Sequence, residues 1–322
     1  MIRRVSILMM IALCSVALLA GCASSDSKTA LVEGKINVVA SFYPLYDFAR
    51  KIGGEHVNAI NLVPAGVEPH DWSPKSRDMT NMTNAQMFVY QGAGFEGWVH
   101  DFLDSVKPDS PLQIIEAGKG AHLLPASEEA REHEDGHKDE PKDEHGDDHQ
   151  YDPHAWLSPV NAKKMGENIK DGLIITDPVH KADYEANYAK FAAQLDELDA
   201  RYRQALSPLP KKEIAVSHQA FAYLCHEYGL TQMPIMGLSP DSEPTAQDLK
   251  KMNEFIKEHD VKYIFFEELV SDKLAKTLAN DANIDTMVLN PLEGLTEEQI
   301  KAGEDYISIM DINLRNLTKA LQ

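Results

Sequence analysis

His70, His154 and His218 each stand at the end of a strand-like or turn segment, in Glu68-Pro69-His70-Asp71-Trp72, Asp152-Pro153-His154-Ala155-Trp156 and Val216-Ser217-His218. Glu293, in Asn290-Pro291-Leu292-Glu293-Gly294, occupies the same kind of place. Imidazole-rich sites suit zinc, copper, nickel or iron, and three neutral rings with one carboxylate oxygen fill a tetrahedral zinc shell. The prolines before His70 and His154 stiffen the backbone where those ligands would stand. Trp72 and Trp156, two residues past each histidine, are placed to wall such a site from water, and Asp71 and Ser217 to accept hydrogen bonds from ring N–H groups. The four candidates are far apart in sequence, so only the fold can bring them together. A second set, His133, His137, His145 and His149, lies in an acid-rich tract and offers further weak imidazole contacts to a metal.

The elements that must position these residues follow an α/β pattern. Strand signals run over Ile36–Ala40, Val57–Val63, Met87–Tyr90 and Leu112–Glu116, with helical spacing in Leu45, Tyr46, Phe48, Ala49 and Ile52. Alternation of this kind implies parallel sheets. Asp177-Pro178 opens a long helix in which Tyr184, Tyr188, Phe191, Leu195, Leu198 and Tyr202 recur at spacings of three and four, until Ser207-Pro208-Leu209-Pro210 stops it. A second block follows, with strands at Glu213–Ser217, Tyr263–Phe266 and Thr286–Leu289. Helices are expected over Gln219–Tyr228, Ala246–His259, Asp272–Asn280 and Ile300–Leu321. The expectation is an α/β protein of two similar lobes with central, mainly parallel sheets, joined by one long rigid helix, with the metal site in the interlobe cleft. Its divisions are an N-terminal lobe over 35–176, a linking helix over 177–207 and a C-terminal lobe over 208–322. Ligands tend to sit at the carboxyl ends of such strands.

From Glu128 to Asp148 there are eleven acids and three bases, with histidines between them and no apolar periodicity. Such a segment cannot bury enough surface to order itself, so 128–150 reads as a mobile loop. Its imidazoles would raise the local metal concentration near the cleft.

The N-terminus carries an address. Arg3 and Arg4 precede an apolar run from Val5 to Ala20, which ends in Leu19-Ala20-Gly21-Cys22. A short apolar stretch ending in small residues reads as a secretory signal over 1–21. The Leu-Ala-Gly-Cys ending looks like a bacterial lipobox, which makes Cys22 the lipidated first residue of the mature chain, and 22–34 a polar tether. With Cys14 and Cys22 so spent, Cys225 is left alone, without a disulfide partner, as a small buried apolar residue. A formal net charge of −20 argues against nucleic acid and anionic membrane surfaces as partners.

Taken with Tyr43-Pro44-Leu45-Tyr46-Asp47-Phe48-Ala49, Gly66-Val67-Glu68-Pro69-His70-Asp71-Trp72, the acid- and His-rich loop, Asp152-Pro153-His154-Ala155-Trp156-Leu157, Ser217-His218-Gln219-Ala220-Phe221-Ala222-Tyr223-Leu224 and Asn290-Pro291-Leu292-Glu293, the chain resembles the metal-binding solute-binding proteins of ABC importers, in particular the zinc-specific uptake branch. The resemblance runs over essentially the whole mature chain. It implies a monomeric, non-enzymatic carrier that binds Zn2+ as its transported ligand and delivers it to a permease with its ATPase subunit. It also implies an extracytoplasmic location, lipid-anchored to a bacterial cell membrane, periplasmic or outward-facing. His70, His154 and His218 match the family's three histidine ligands and Glu293 its carboxylate position, with Glu68 or water as the alternative fourth ligand. In the manganese branch the third position is typically a carboxylate, and a histidine there favours zinc. The competing readings are a manganese or other divalent-metal carrier, a zinc metallohydrolase and a surface adhesin. Against the hydrolase, the chain has no His-Glu-x-x-His helix, and a fourth protein ligand would close the position a catalytic water needs.

Overall fold

The structure is a computed structural model that describes residues 30–126, 150–240 and 244–322. The signal segment, Cys22 and the loop histidines His133, His137, His145 and His149 lie outside the described residues. Among the described residues no helix is long and apolar enough to cross a membrane.

Two four-stranded parallel sheets form the framework. The first comprises β1 (Ile36–Ala40), β2 (Val57–Asn61), β3 (Met87–Tyr90) and β4 (Gln113–Glu116) in the order β2-β1-β3-β4. The second comprises β5 (Glu213–Val216), β6 (Thr231–Pro234), β7 (Tyr263–Phe266) and β8 (Asp285–Val288) in the order β6-β5-β7-β8. The two lobes therefore repeat one topology. The central strands β1 and β5 are apolar and buried almost throughout, as parallel strands covered on both faces must be. Val38 pairs with Met87 and Ala215 with Ile264, so the carboxyl ends of neighbouring strands lie level on one side of each sheet.

The helices of the first lobe are α1 (Tyr43–Gly53), α2 (Ser76–Asn84), α3 (Val99–Ser105) and α4 (Pro159–Thr176). A 3₁₀ turn at Pro178–His180 then leads into α5 (Lys181–Leu206), 26 residues and about 39 Å long at 1.5 Å per residue. Its buried face runs through Tyr184, Phe191, Leu195, Leu198, Tyr202 and Leu206. Phe191 packs on Phe48 of the first lobe, with ring centroids 5.0 Å apart, and Tyr202 stacks on Tyr228 of the second at 4.8 Å. One helix thus serves both lobes as a strut. Behind it come α6 (Ala222–Tyr228), α7 (Ala246–Glu258), α8 (Lys273–Ala282), α9 (Glu297–Ala302) and α10 (Tyr306–Ala320).

Three details depart from the sequence reading. The expected final helix over Ile300–Leu321 is two helices, broken at Gly303 (φ 79°), after which Asp305 caps α10 by accepting from the Ser308 N–H. Glycine takes that left-handed turn without the Cβ penalty. Strand β6 and helices α2, α3 and α4 carried no clear signal. A continuous hydrophobic core joins the lobes, running from Val38 and Phe48 through Trp156 and Leu195 to Val216, Phe265 and Leu317.

Candidate metal centre

The structure brings His70, His154, His218 and Glu293 together, each offering one ligand atom, with all four atoms within 4.8 Å of one another. His70 lies in the loop after β2, His218 two residues past β5 and Glu293 five residues past β8. His154 immediately precedes the 3₁₀ turn Ala155–Leu157. Five of the six separations are uniform. His154 Nε2 is 3.3 Å from His70 Nε2 and 3.4 Å from His218 Nε2. Glu293 Oε1 is 3.4 Å from His70 Nε2, 3.3 Å from His154 Nε2 and 3.4 Å from His218 Nε2. A regular tetrahedron with such edges has its centre about 2.0–2.1 Å from each corner, which is the Zn–N bond length.

Hydrogen bonding on the far side of two of the rings explains how the His154 and His218 nitrogens face each other so closely. His154 Nδ1–H donates to Asp152 Oδ1 at 2.9 Å, and His218 Nδ1–H donates to Glu267 Oε1 at 2.6 Å. With Nδ1 holding the proton, Nε2 presents a lone pair. Two such lone pairs and a carboxylate oxygen facing one point repel each other until a cation stands between them. Both carboxylates are themselves fixed: Asp152 Oδ1 also accepts from the His154 N–H at 2.9 Å, and the Ser217 hydroxyl donates to Glu267. Carboxylate-anchored imidazoles are the common arrangement around bound metals, where they set the tautomer and raise ligand basicity.

The electrostatics agree. Burial disfavours charge on His154 and His218, but Asp152 with Glu293 outweighs it for the first and Glu267 with Glu293 for the second, so both imidazoles are held above their ordinary pKa. Burial likewise opposes charge on Glu293, yet His218, His70 and His154 hold its carboxyl well below the usual range. A site with three buried carboxylates and three rings is built for positive charge. Nitrogen-rich ligation directs it to a borderline transition ion rather than to calcium or magnesium.

Glu293 is aimed by strain. Leu292 adopts φ 61°, a left-handed conformation that a leucine takes at a cost of order 1–3 kcal/mol. The turn is held by a buried amide pair: Asn313 Oδ1 accepts from the Asn290 N–H (2.9 Å), Asn313 Nδ2 donates to the Asn290 carbonyl (2.7 Å), and Asn290 Oδ1 accepts from the Leu292 N–H (2.7 Å).

Several expected roles move. Asp71 is exposed and Trp72 packs on Trp98, so neither serves as anticipated. Ser217 donates to Glu267 instead of receiving from a ring. Glu68 accepts from the His70 N–H at 3.0 Å, which makes it a brace of the ligand loop. Trp156 does line the site, 5.3 Å from His154, together with Phe95, whose ring stands edge-on to His70 at 5.0 Å. The sequence reading missed Asp152, Glu267 and Phe95. The signal for Glu267 was its place one residue past β7, beside the His218 turn on the neighbouring strand.

Two α/β lobes on a rigid helix, with a buried three-histidine, one-carboxylate centre between them, define a metal-binding solute-binding protein of the cleft type. The chain belongs to the ZnuA family, described as zinc-uptake complex component A, periplasmic, which matches residues 38–320. It is 43% identical over 323 residues to the high-affinity zinc uptake system protein ZnuA of Bacillus subtilis, covering 100% of this chain and 99% of that one. It is 41% identical over 311 residues to the zinc-binding lipoprotein AdcA of Streptococcus pneumoniae, where it spans 96% of its own length but 60% of the relative's. The Zn(II)-bound ZnuA-like domain of that AdcA superposes with a TM-score of 0.75 at 39% identity, covering 89% of this chain and 99% of the domain.

Proposed function

We propose that this protein is a carrier: it captures extracytoplasmic Zn2+ with His70, His154, His218 and Glu293 and delivers it to an ABC permease driven by a cytoplasmic ATPase. The observation that carries the reading is the set of 3.3–3.4 Å separations among the four ligand atoms, which fits a closed tetrahedral zinc shell. A shell closed by four protein ligands leaves no position for an activated water, which argues for cargo rather than catalysis. The third histidine, His218, favours zinc over manganese. Glu293, and not Glu68 or water, is the fourth ligand.

The reading extends to the whole chain. Residues 1–21 are a lipoprotein signal, Cys22 carries the lipid and 22–34 tether the globule to the membrane. The N-terminal lobe is 35–176, with the His- and acid-rich loop 128–150. The linking helix is 177–207 and the C-terminal lobe 208–322, and the carrier acts as a monomer. His133, His137, His145 and His149 collect zinc weakly on its way to the cleft.

The test is competition with a chelator of known affinity, run in parallel with zinc and manganese. One tight zinc equivalent is expected, lost in His218→Ala and in Glu293→Ala. Preference for manganese, or full retention of the tight site in both variants, would overturn the assignment.

A further inference from the structure

Another histidine pair lies outside the cleft. His122, in the segment after β4, and His226, on α6, are both exposed, with ring centroids 5.7 Å apart and planes inclined at 31°. The three rings of the cleft centre are 5.3, 5.3 and 5.8 Å apart. The surface pair thus has the ring spacing of the cleft imidazoles.

The pair is also rigidly mounted. The backbone of His122 is clamped from both sides by Asn161, whose Oδ1 accepts from the His122 N–H (3.0 Å) while its Nδ2 donates to the His122 carbonyl (3.1 Å). Two residues on, the Leu124 N–H donates to the Tyr223 hydroxyl at 3.0 Å, and Tyr223 lies one turn before His226 on α6. The Tyr223 hydroxyl donates in turn to the carbonyl of Asp152, the residue whose carboxylate orients His154. The two histidines are therefore carried on elements pinned to each other and to the cleft.

A different pair shows what such a site is not. His56 and His180 are stacked face to face, 3.8 Å apart at 16°. Each already engages an aspartate, Asp183 at 3.0 Å and Asp177 at 2.6 Å. The in-plane lone pairs of parallel rings lie in separate, parallel planes and do not meet at one ion. Beside His226, Glu227 is occupied by Arg203 at 2.9 Å.

We propose that His122 and His226 form a second, surface metal site, taking a divalent borderline transition ion such as Zn2+ or Cu2+ through two imidazole nitrogens, with water completing the shell. Two ligands and open solvent make it weaker than the cleft and fast to exchange. Joining two rings in one site raises the effective concentration of the second, so the pair binds at least ~10-fold tighter than either histidine alone. The inference does not depend on what the cleft ion is or where it is delivered.

The test is residue-resolved modification of imidazoles by diethyl pyrocarbonate on the full chain, as Zn2+ is titrated past the first equivalent. His122 and His226 should lose reactivity together, at one zinc midpoint. In His226→Gln the midpoint for His122 should rise at least ~10-fold, and His122→Gln should shift His226 in the same way. The zinc-free melting temperature of each variant checks that the fold is intact. Protection of the two residues at separate midpoints, or a His122 midpoint unmoved by His226→Gln, would overturn the proposal.

Discussion

Glu267→Gln separates the two things this carboxylate does to His218. It accepts the Nδ1 proton at 2.6 Å, which fixes the ring with Nε2 toward the centre, and its charge holds the imidazole well above its ordinary pKa. The first effect aids metal binding and the second opposes it, because a protonated ring must lose its proton before it can ligate. The amide keeps the volume and an acceptor oxygen but removes the charge. At pH 8, where the proton competes least, the loss of orientation and basicity dominates. Removing a partner of this kind typically weakens metal binding 10–100-fold, or about 1.4–2.8 kcal/mol. Toward pH 6 the wild-type ring is increasingly protonated, while the variant's ring, still buried and raised by Glu293 alone, takes up its proton at lower pH. The penalty should therefore shrink as pH falls. Zinc competition titrations of both proteins across pH 6–8 measure it. A penalty under about threefold at pH 8, or one that grows toward acid, would refute the dual role.

Zinc at a thousandfold excess over its dissociation constant should stabilise the fold by about 4 kcal/mol, visible in thermal melts. Without zinc, the raised His154 and His218 contribute stability that is fully present below about pH 6.5 and lost as pH rises through their folded values. The depressed Glu293 contributes stability present above about pH 4.3 and lost as pH falls through its folded value. The zinc increment should accordingly be largest at alkaline pH and, as pH is lowered, begin to fall before pH 6.5 is reached; a pH-independent increment between 6 and 8 would count against the site. Asn313→Ala orphans the buried N–H and carbonyl of Asn290, at about 1–3 kcal/mol each, and frees the Leu292 turn. Denaturant unfolding of the zinc-free variant should show a loss of about 2–6 kcal/mol, together with weaker zinc binding. Cys225 is buried and burial pushes its thiol pKa up, so a thiol reagent should label it only after denaturation.

The legible parts of this molecule were those written locally. Pro69-His70 and Pro153-His154 mark rigid turns, and the apolar run of β5 leads straight to His218. The orienting acids split on the same principle. Asp152 is two residues from His154 inside one turn, whereas Glu267 reaches His218 only because β7 pairs with β5, where Val216 faces Phe265. Helix α4 escaped notice because its buried apolar stripe, Ala162, Met165, Ile169 and Leu173, is interrupted on the same face by the small and polar residues Asn161, Gly166 and Gly172. The reason is steric: a Cβ on Gly172 would stand 2.7 Å from the Ile115 side chain, so close contact with the sheet takes the place of bulk. Strand β6 is Thr-Gln-Met-Pro, short and polar, and its proline is tolerated because the strand lies at the sheet edge.

How the centre exchanges its ion follows from what ties the lobes together. Trp156 Nε1–H donates to the Pro291 carbonyl at 2.7 Å, while the Trp156 carbonyl accepts from Tyr306 Oη at 2.6 Å. Lys51 Nζ bridges Asp47 and Asp305 at 2.7 and 2.6 Å, and the Gly66 N–H donates across the cleft to the Leu295 carbonyl at 2.9 Å. Wide hinge opening would break all of these. At about 1–3 kcal/mol for each buried group left unpaired, the cost approaches the whole stability of a domain. The ligands themselves are unequal. His154 and His218 are fully enclosed and Glu293 is 1% exposed, whereas the His70 side chain is 10% exposed. His70 is also the ligand whose loop is braced chiefly by the Glu68 carboxylate and the Gly66–Leu295 bond. A local swing of that loop would remove one candidate ligand while the interlobe bonds of Trp156, Tyr306 and Lys51 stayed made, so exchange over the His70 edge is the route that breaks the fewest interlobe bonds.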